Sequence, residues 1–190
     1  MKTMKKLITL ALTFALMLTS MTACSSSNGN AQGDAPSSQQ EQMKEPALDE
    51  VVQAVKDVYG ENYLPSMPID KEMLADIYGV NTENVEEFVA EAPMMSAHVD
   101  TFIAIKAVKG KGEEVEKELQ AYLDYVVENS VNYPMNVAKV QAGKVVRHGD
   151  YVFYVMLGKY DDRTDVTEED NVKFAEEQVQ LGLDAIANCF

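Results

Sequence analysis

Tyr151-Val152-Phe153-Tyr154-Val155-Met156-Leu157 is apolar at every position, without the alternation that marks a strand with one wet face. Rich in β-branched and aromatic residues and too short for a core helix, it reads as a strand covered on both sides. Such a strand belongs at the centre of a sheet. Just before it, Arg147-His148-Gly149-Asp150 supplies a tight turn, with Gly149 free to take the positive φ of a two-residue hairpin. The segment Val137–Val146 then reads as the hairpin's first strand, with Gly143 marking a bulge.

Further upstream, Val99 to Val108 alternates and predicts a third strand. Val99, Thr101, Ile103 and Ile105 share one face; His98, Asp100, Phe102 and Ala104 share the other. Gly110-Lys111-Gly112 turns into a helix with the stripe Val115, Leu119, Tyr122, Leu123 and Val126, broken at Asn132-Tyr133-Pro134. A last helix starts after Thr167, which caps it, and buries Val172, Ala175, Val179, Leu183 and Ile186. The order from Val99 on is β-α-β-β-α. Its simplest right-handed arrangement is a three-stranded antiparallel sheet with both helices on one face, a ferredoxin-like half-sandwich.

Three helices precede the sheet and are expected to cover its other face. Leu48, Val51, Val52, Val55, Val58 and Tyr59 recur at helical spacing before Gly60. Asp70 is placed to cap Lys71–Tyr78, and Asn81 or Thr82 to start a helix with Val85, Phe88 and Val89 that stops before Pro93. The class is α+β, with one domain over residues 47–190 and no internal repeat.

The chain starts differently. Lys2, Lys5 and Lys6 precede the mostly apolar Leu7–Leu18, and Leu18-Thr19-Ser20-Met21-Thr22-Ala23-Cys24 follows. A basic start, a short apolar run and small residues before a cleavage point make a signal peptide over residues 1–23. A bilayer span needs roughly 20 apolar residues, more than this run offers. Cys24 directly after Thr22-Ala23 is similar to a bacterial lipobox, with Cys24 the lipidated first residue of the mature chain. Two acyl chains on one diacylglyceryl group anchor stably, where one does not. From Cys24 to Pro46 the chain is Ser, Asn, Gly, Gln and Asp with little to bury, a tether of about 25 Å root-mean-square reach.

The formal charge of −15 becomes −18 without the segment Met1–Ala23, which carries three Lys and no acid. That sign repels nucleic acid and excludes it as a partner. Cys24 and Cys189 are the only cysteines, so a lipidated Cys24 leaves no internal disulfide.

His98 and Asp100, two apart on a strand, point the same way and form the one polar pair that invites a chemical reading, as general base or metal ligands. No further ligand lies at a matching spacing, and a satisfied hydrogen bond at a strand entry accounts for the pair. The acids Asp161, Asp162, Asp165, Glu168, Glu169 and Asp170 lack the Gly and the terminal Glu register of a calcium loop. Met94, Met95 and Met135 show no repeat and read as packing. No phosphate loop, serine elbow, zinc pattern or cofactor motif is present, and no catalytic residue or metal ligand set is assigned.

The stretches PMMSAHVDTFIAIKAVKGKGEEVEKEL (93–119) and YPMNVAKVQAGKVVRHGDYVFYVMLG (133–158) resemble small lipoproteins of anaerobic Gram-positive bacteria classed as a domain of unknown function. The likeness covers Leu48 to Ala187 and the lipobox. It implies a surface-anchored domain and carries no catalytic residues across. The expectation is a lipoprotein held by Cys24 on the extracytoplasmic face of the cell membrane. Its domain serves as a non-enzymatic interaction or binding module for a protein or small molecule. The alternatives are a solute-binding accessory of a transporter and a metal-dependent hydrolase using His98 and Asp100.

Overall fold

The computed structural model describes residues 45–190. The signal segment, Cys24 and most of the expected tether lie outside the described residues.

The run 151–157 forms the central strand expected of it. Five strands, β1 (Met67–Pro68), β2 (Val85–Ala92), β3 (Thr101–Ala107), β4 (Lys144–His148) and β5 (Tyr151–Met156), make one sheet in the order β1-β2-β3-β5-β4. Every neighbouring pair is antiparallel, and Gly149 turns the β4–β5 hairpin at φ 61°. Five helices accompany the sheet: α1 (Leu48–Tyr59), α2 (Lys71–Asp76), α3 (Gly112–Asn129), α4 (Pro134–Ala142) and α5 (Glu168–Ala187). The α+β class holds; the three-stranded sheet does not.

The two extra strands come from the segment read as a third N-terminal helix and from the Pro-containing link before α2. Val85, Phe88 and Val89 are spaced like a helix, yet they lie on β2. The register against β3 slips between Val85 and Glu87, so one extra residue bulges out. The bulge brings Val85 to the same face as Phe88, three positions on, and imitates a helical period. Of the expected helix only a 3-10 turn remains, at Thr82–Asn84.

The segment read as a strand over 137–146 is also corrected. Pro134 opens α4 at its first turn, where a missing N–H costs nothing. Asn136, Lys139 and Val140 then share a buried side at helical spacing. Gly143 ends α4 instead of bulging a strand, and β4 is the short piece after it.

The helices do not share one face, which corrects the half-sandwich. Phe102, Ala104, Phe153 and Val155 face α1 and α5, meeting Val51, Val55, Val179 and Ile186. Ile103, Ile105, Val152 and Tyr154 face α2 and α3, meeting Leu74, Val115, Leu119 and Leu123. The cause lies in β5: large apolar side chains on both faces each need a helical cover, worth about 1.5–3 kcal/mol per buried side chain. α2, six residues long, is too short to cover a face alone. Tyr59 clamps α1 to α5, its hydroxyl donating to Gln178 O at 2.8 Å and accepting from the Gly182 N–H at 3.1 Å.

The pairing fixes two ends. Thr101 lies opposite Met156 at one, and Lys106 opposite Tyr151 at the other. The described residues begin at the second end, where the Tyr151 hydroxyl donates to Pro46 O at 2.8 Å.

Candidate functional site

His98 and Asp100 lie at the first end, on the approach to β3. Asp100 has no exposed surface. Lys139, on the buried side of α4, reaches it with Nζ 2.8 Å from Oδ1. The same ammonium donates to Gly158 O at 2.5 Å, just beyond β5, and lies 3.7 Å from the centroid of the Tyr160 ring. Asn136, one turn earlier on α4, donates to Ala97 O at 2.9 Å, which turns its Oδ1 towards the Tyr160 hydroxyl, also at 2.9 Å. A phenol has one proton to give. Asn136 Oδ1 and, at 3.4 Å, Asp100 Oδ2 are the two acceptors within its reach, and His98 Nδ1 lies 3.1 Å from the hydroxyl oxygen.

His98 and Asp100 therefore belong to one cluster, as their spacing predicts, but through Tyr160. Their own separation, Nδ1 to Oδ2, is 4.0 Å. Burial pushes the Asp100 carboxyl up, against the pull of Lys139; burial pushes the Lys139 ammonium down, against the pull of Asp100. Burial, with Asp100 nearby, raises the Tyr160 phenol well above its usual range. Among the described residues every buried side-chain nitrogen or oxygen has a hydrogen-bond partner. The adjoining cleft, between α4 and the start of α5, holds only about 100 Å³. The geometry ties the β3 entry, α4 and the β5 exit together.

Lys139, Asn136 and Tyr160 were not singled out from the sequence. The misread strand over 137–146 hid the first two, since only a helix turns Asn136 and Lys139 to one side. Two of the six acids in this stretch are engaged elsewhere: Asp161 takes Arg163 in a bidentate pair, and Asp170 closes a capping box with Thr167. Among the described residues no three His, Cys, Asp or Glu side chains gather as a metal site.

The open site is at the other end. A groove of about 590 Å³ runs beside the β4–β5 turn, within the range of about 300–1,000 Å³ usual for small-ligand clefts. Asp150 builds one wall: its carboxylate accepts from the Gly110 N–H at 2.9 Å and the Gly112 N–H at 3.2 Å, binding the hairpin turn to the start of α3. Gly112 permits this approach, because a Cβ there would sit 2.5 Å from Gly149 O. Aromatic rings supply the apolar surface. His148 stacks on Phe190 with centroids 4.6 Å apart and planes 10° off parallel, and Tyr151 meets Phe190 edge-on at 5.1 Å. Lys106, Lys109, Glu45 and Glu86 bring the charges. These residues come from five separate parts of the chain, and no local pattern announces their meeting.

A family model described as a domain of unknown function, DUF4358, matches residues 58–157, just over half of the chain. The chain belongs to the DUF4358 family. The DUF4358 match runs from the end of α1 through β5, so it contains the whole sheet together with Asp100, Asn136 and Lys139. Tyr160, Phe190 and Glu45 lie outside it. No curated protein and no solved structure matches the chain.

Proposed function

We propose that this DUF4358 protein is a lipoprotein, anchored through Cys24 on the extracytoplasmic face of the membrane, whose domain binds a ligand without transforming it. The anchor rests on the basic start, the apolar run and the lipobox-like Thr22-Ala23-Cys24. The binding role rests on one observation: the groove at the Tyr151 end is roomy, ringed with aromatic side chains and lined by Lys109 and Glu45, which make no hydrogen bond or ion pair among the described residues. The polar cluster at the other end favours binding over hydrolysis. Asp100 is buried, and Lys139 already occupies its Oδ1.

The groove also opens where the tether meets the domain, because Glu45 lines it and Pro46 accepts from Tyr151. A ligand there would sit at the root of the membrane attachment. The anchor is tested by expressing the full chain in a Gram-positive host with labelled palmitate. The wild type takes up label and enters the detergent phase, and Cys24→Ser does neither. A labelled Cys24→Ser protein would overturn the anchor.

A further inference from the structure

We propose that the groove takes a short peptide with both termini free, its ammonium end towards Glu45, its carboxylate end towards Lys109, and its side chains on the Tyr151–Phe190–His148 surface. The inference rests on the reading of this groove as the binding site and adds the class of ligand.

The charges of the groove decide it. Lys106 and Glu86 neutralise each other, with Nζ 3.1 Å from Oε1. Asp150 spends its oxygens on the Gly110 and Gly112 amides. Among the described residues that leaves Lys109 and Glu45 without a hydrogen-bond or ion-pair partner, one charge of each sign on the same groove. A ligand with a single charge would answer one of them and leave the other idle or repelled. Among the described residues a polyanion finds one cation of the groove outside an ion pair, on a chain of formal charge −15. A metal ion finds one unpaired carboxylate on a groove that also carries two lysines. A zwitterion answers both.

The space between the charges excludes the smallest zwitterions as the best fit. Stacked and edge-on rings present a continuous apolar wall, and about 590 Å³ exceeds what one free amino acid fills. Two to four residues, with an aromatic or aliphatic side chain between the ends, use both the wall and the charges. Hydrogen bonds to charged groups contribute enough that losing either end should weaken binding about tenfold or more.

The chain contains no Trp, so the indole of a peptide is the only one in the mixture. Full-length lipoprotein in detergent is titrated into glycyl-tryptophyl-glycine, and the anisotropy and emission of the indole are followed. The expected result is saturable binding that weakens about tenfold or more on N-acetylation and again on C-amidation. Lys109→Gln should abolish the sensitivity to C-amidation, and Glu45→Gln the sensitivity to N-acetylation, with the melting temperature unchanged in both. Equal affinity for free and doubly blocked peptide overturns the ligand class and leaves the groove as a site. Absence of saturable binding by every peptide also overturns the class. The groove itself fails only if neutral p-cresol, added to the same protein, leaves the Tyr151 and Phe190 ring resonances unmoved as well.

Discussion

The two ends of the sheet handle charge in opposite ways. At the Thr101–Met156 end, Asp100 and Lys139 are withdrawn from water, and among the described residues every buried side-chain nitrogen or oxygen is matched. At the Lys106–Tyr151 end, Lys109 and Glu45 stay at the surface of a groove with no hydrogen bond or ion pair among the described residues, Glu45 acting on Lys106 only at longer range. Matched buried charge holds elements in register. Unmatched charge beside an apolar wall is available to a ligand. His98 and Asp100, the polar pair legible in the sequence, lie at the closed end, and the proposed binding groove lies at the other.

Breaking the closed end should have the largest effect. Lys139→Met strands a buried carboxylate and should lower the unfolding free energy by about 3–5 kcal/mol, measured by urea unfolding followed by circular dichroism. Adding Asp100→Asn should restore a substantial share, because a neutral pair has no ion to desolvate. A double variant as unstable as the single one would mean the pair acts through something other than charge.

Alkali should expose the same end next. The Tyr160 phenol is raised by burial and by Asp100, Tyr59 is raised by burial, and Tyr78 is pushed up to about 12. A raised phenol adds stability that is complete below the unfolded value of 10.0 and is lost as pH rises through the folded value. Stability should therefore hold up to about pH 10 and fall between 10 and 12. Phenolate absorbance should rise together with the loss of ellipticity. Tyr160→Phe should fall less steeply over that interval. At neutral pH the same variant loses the bond to Asn136 and about 1 kcal/mol, read by the same urea titration.

The open end should be the least sensitive in stability. Lys109→Gln and Glu45→Gln should each stay within about 0.5 kcal/mol of wild type, as thermal melts would record. A larger loss would show that these charges serve the fold after all, and the contrast between the ends would vanish.

What was legible in the sequence follows the range of the interactions involved. The centre of the sheet was legible because Tyr151–Leu157 carries its two-sided burial in its own composition. The caps at Asp70 and Thr167 and the hairpin at Gly149 were legible because each is settled within four residues. β2 was misread because a bulge shifts the strand's phase by one and lends Val85 and Phe88 a helical spacing. α4 was misread because its valines suggested a strand, although Asn136, Lys139 and Val140 keep a helical period that packs a polar side inward. The covering of both faces depends on where α5 goes after β5, which the helix's own stripe does not say. Of the candidate sites, the sequence offered two of the five side chains of the closed cluster, His98 and Asp100, and none of the groove as a site. Glu45, Lys106, His148 and Phe190 become neighbours only once the whole sheet has formed.

The separation of roles between the two ends is tested most directly by titrating one peptide, glycyl-tryptophyl-glycine, into two variants of the full-length protein. One carries Asp100→Asn with Lys139→Met, and the other carries Lys109→Gln with Glu45→Gln. The first should melt at a different temperature from wild type and bind the peptide with unchanged affinity, while the second should melt like wild type and bind it at least tenfold more weakly. Loss of binding in the folded first variant, with full binding in the second, would contradict the assignment and return the site to Asp100 and His98.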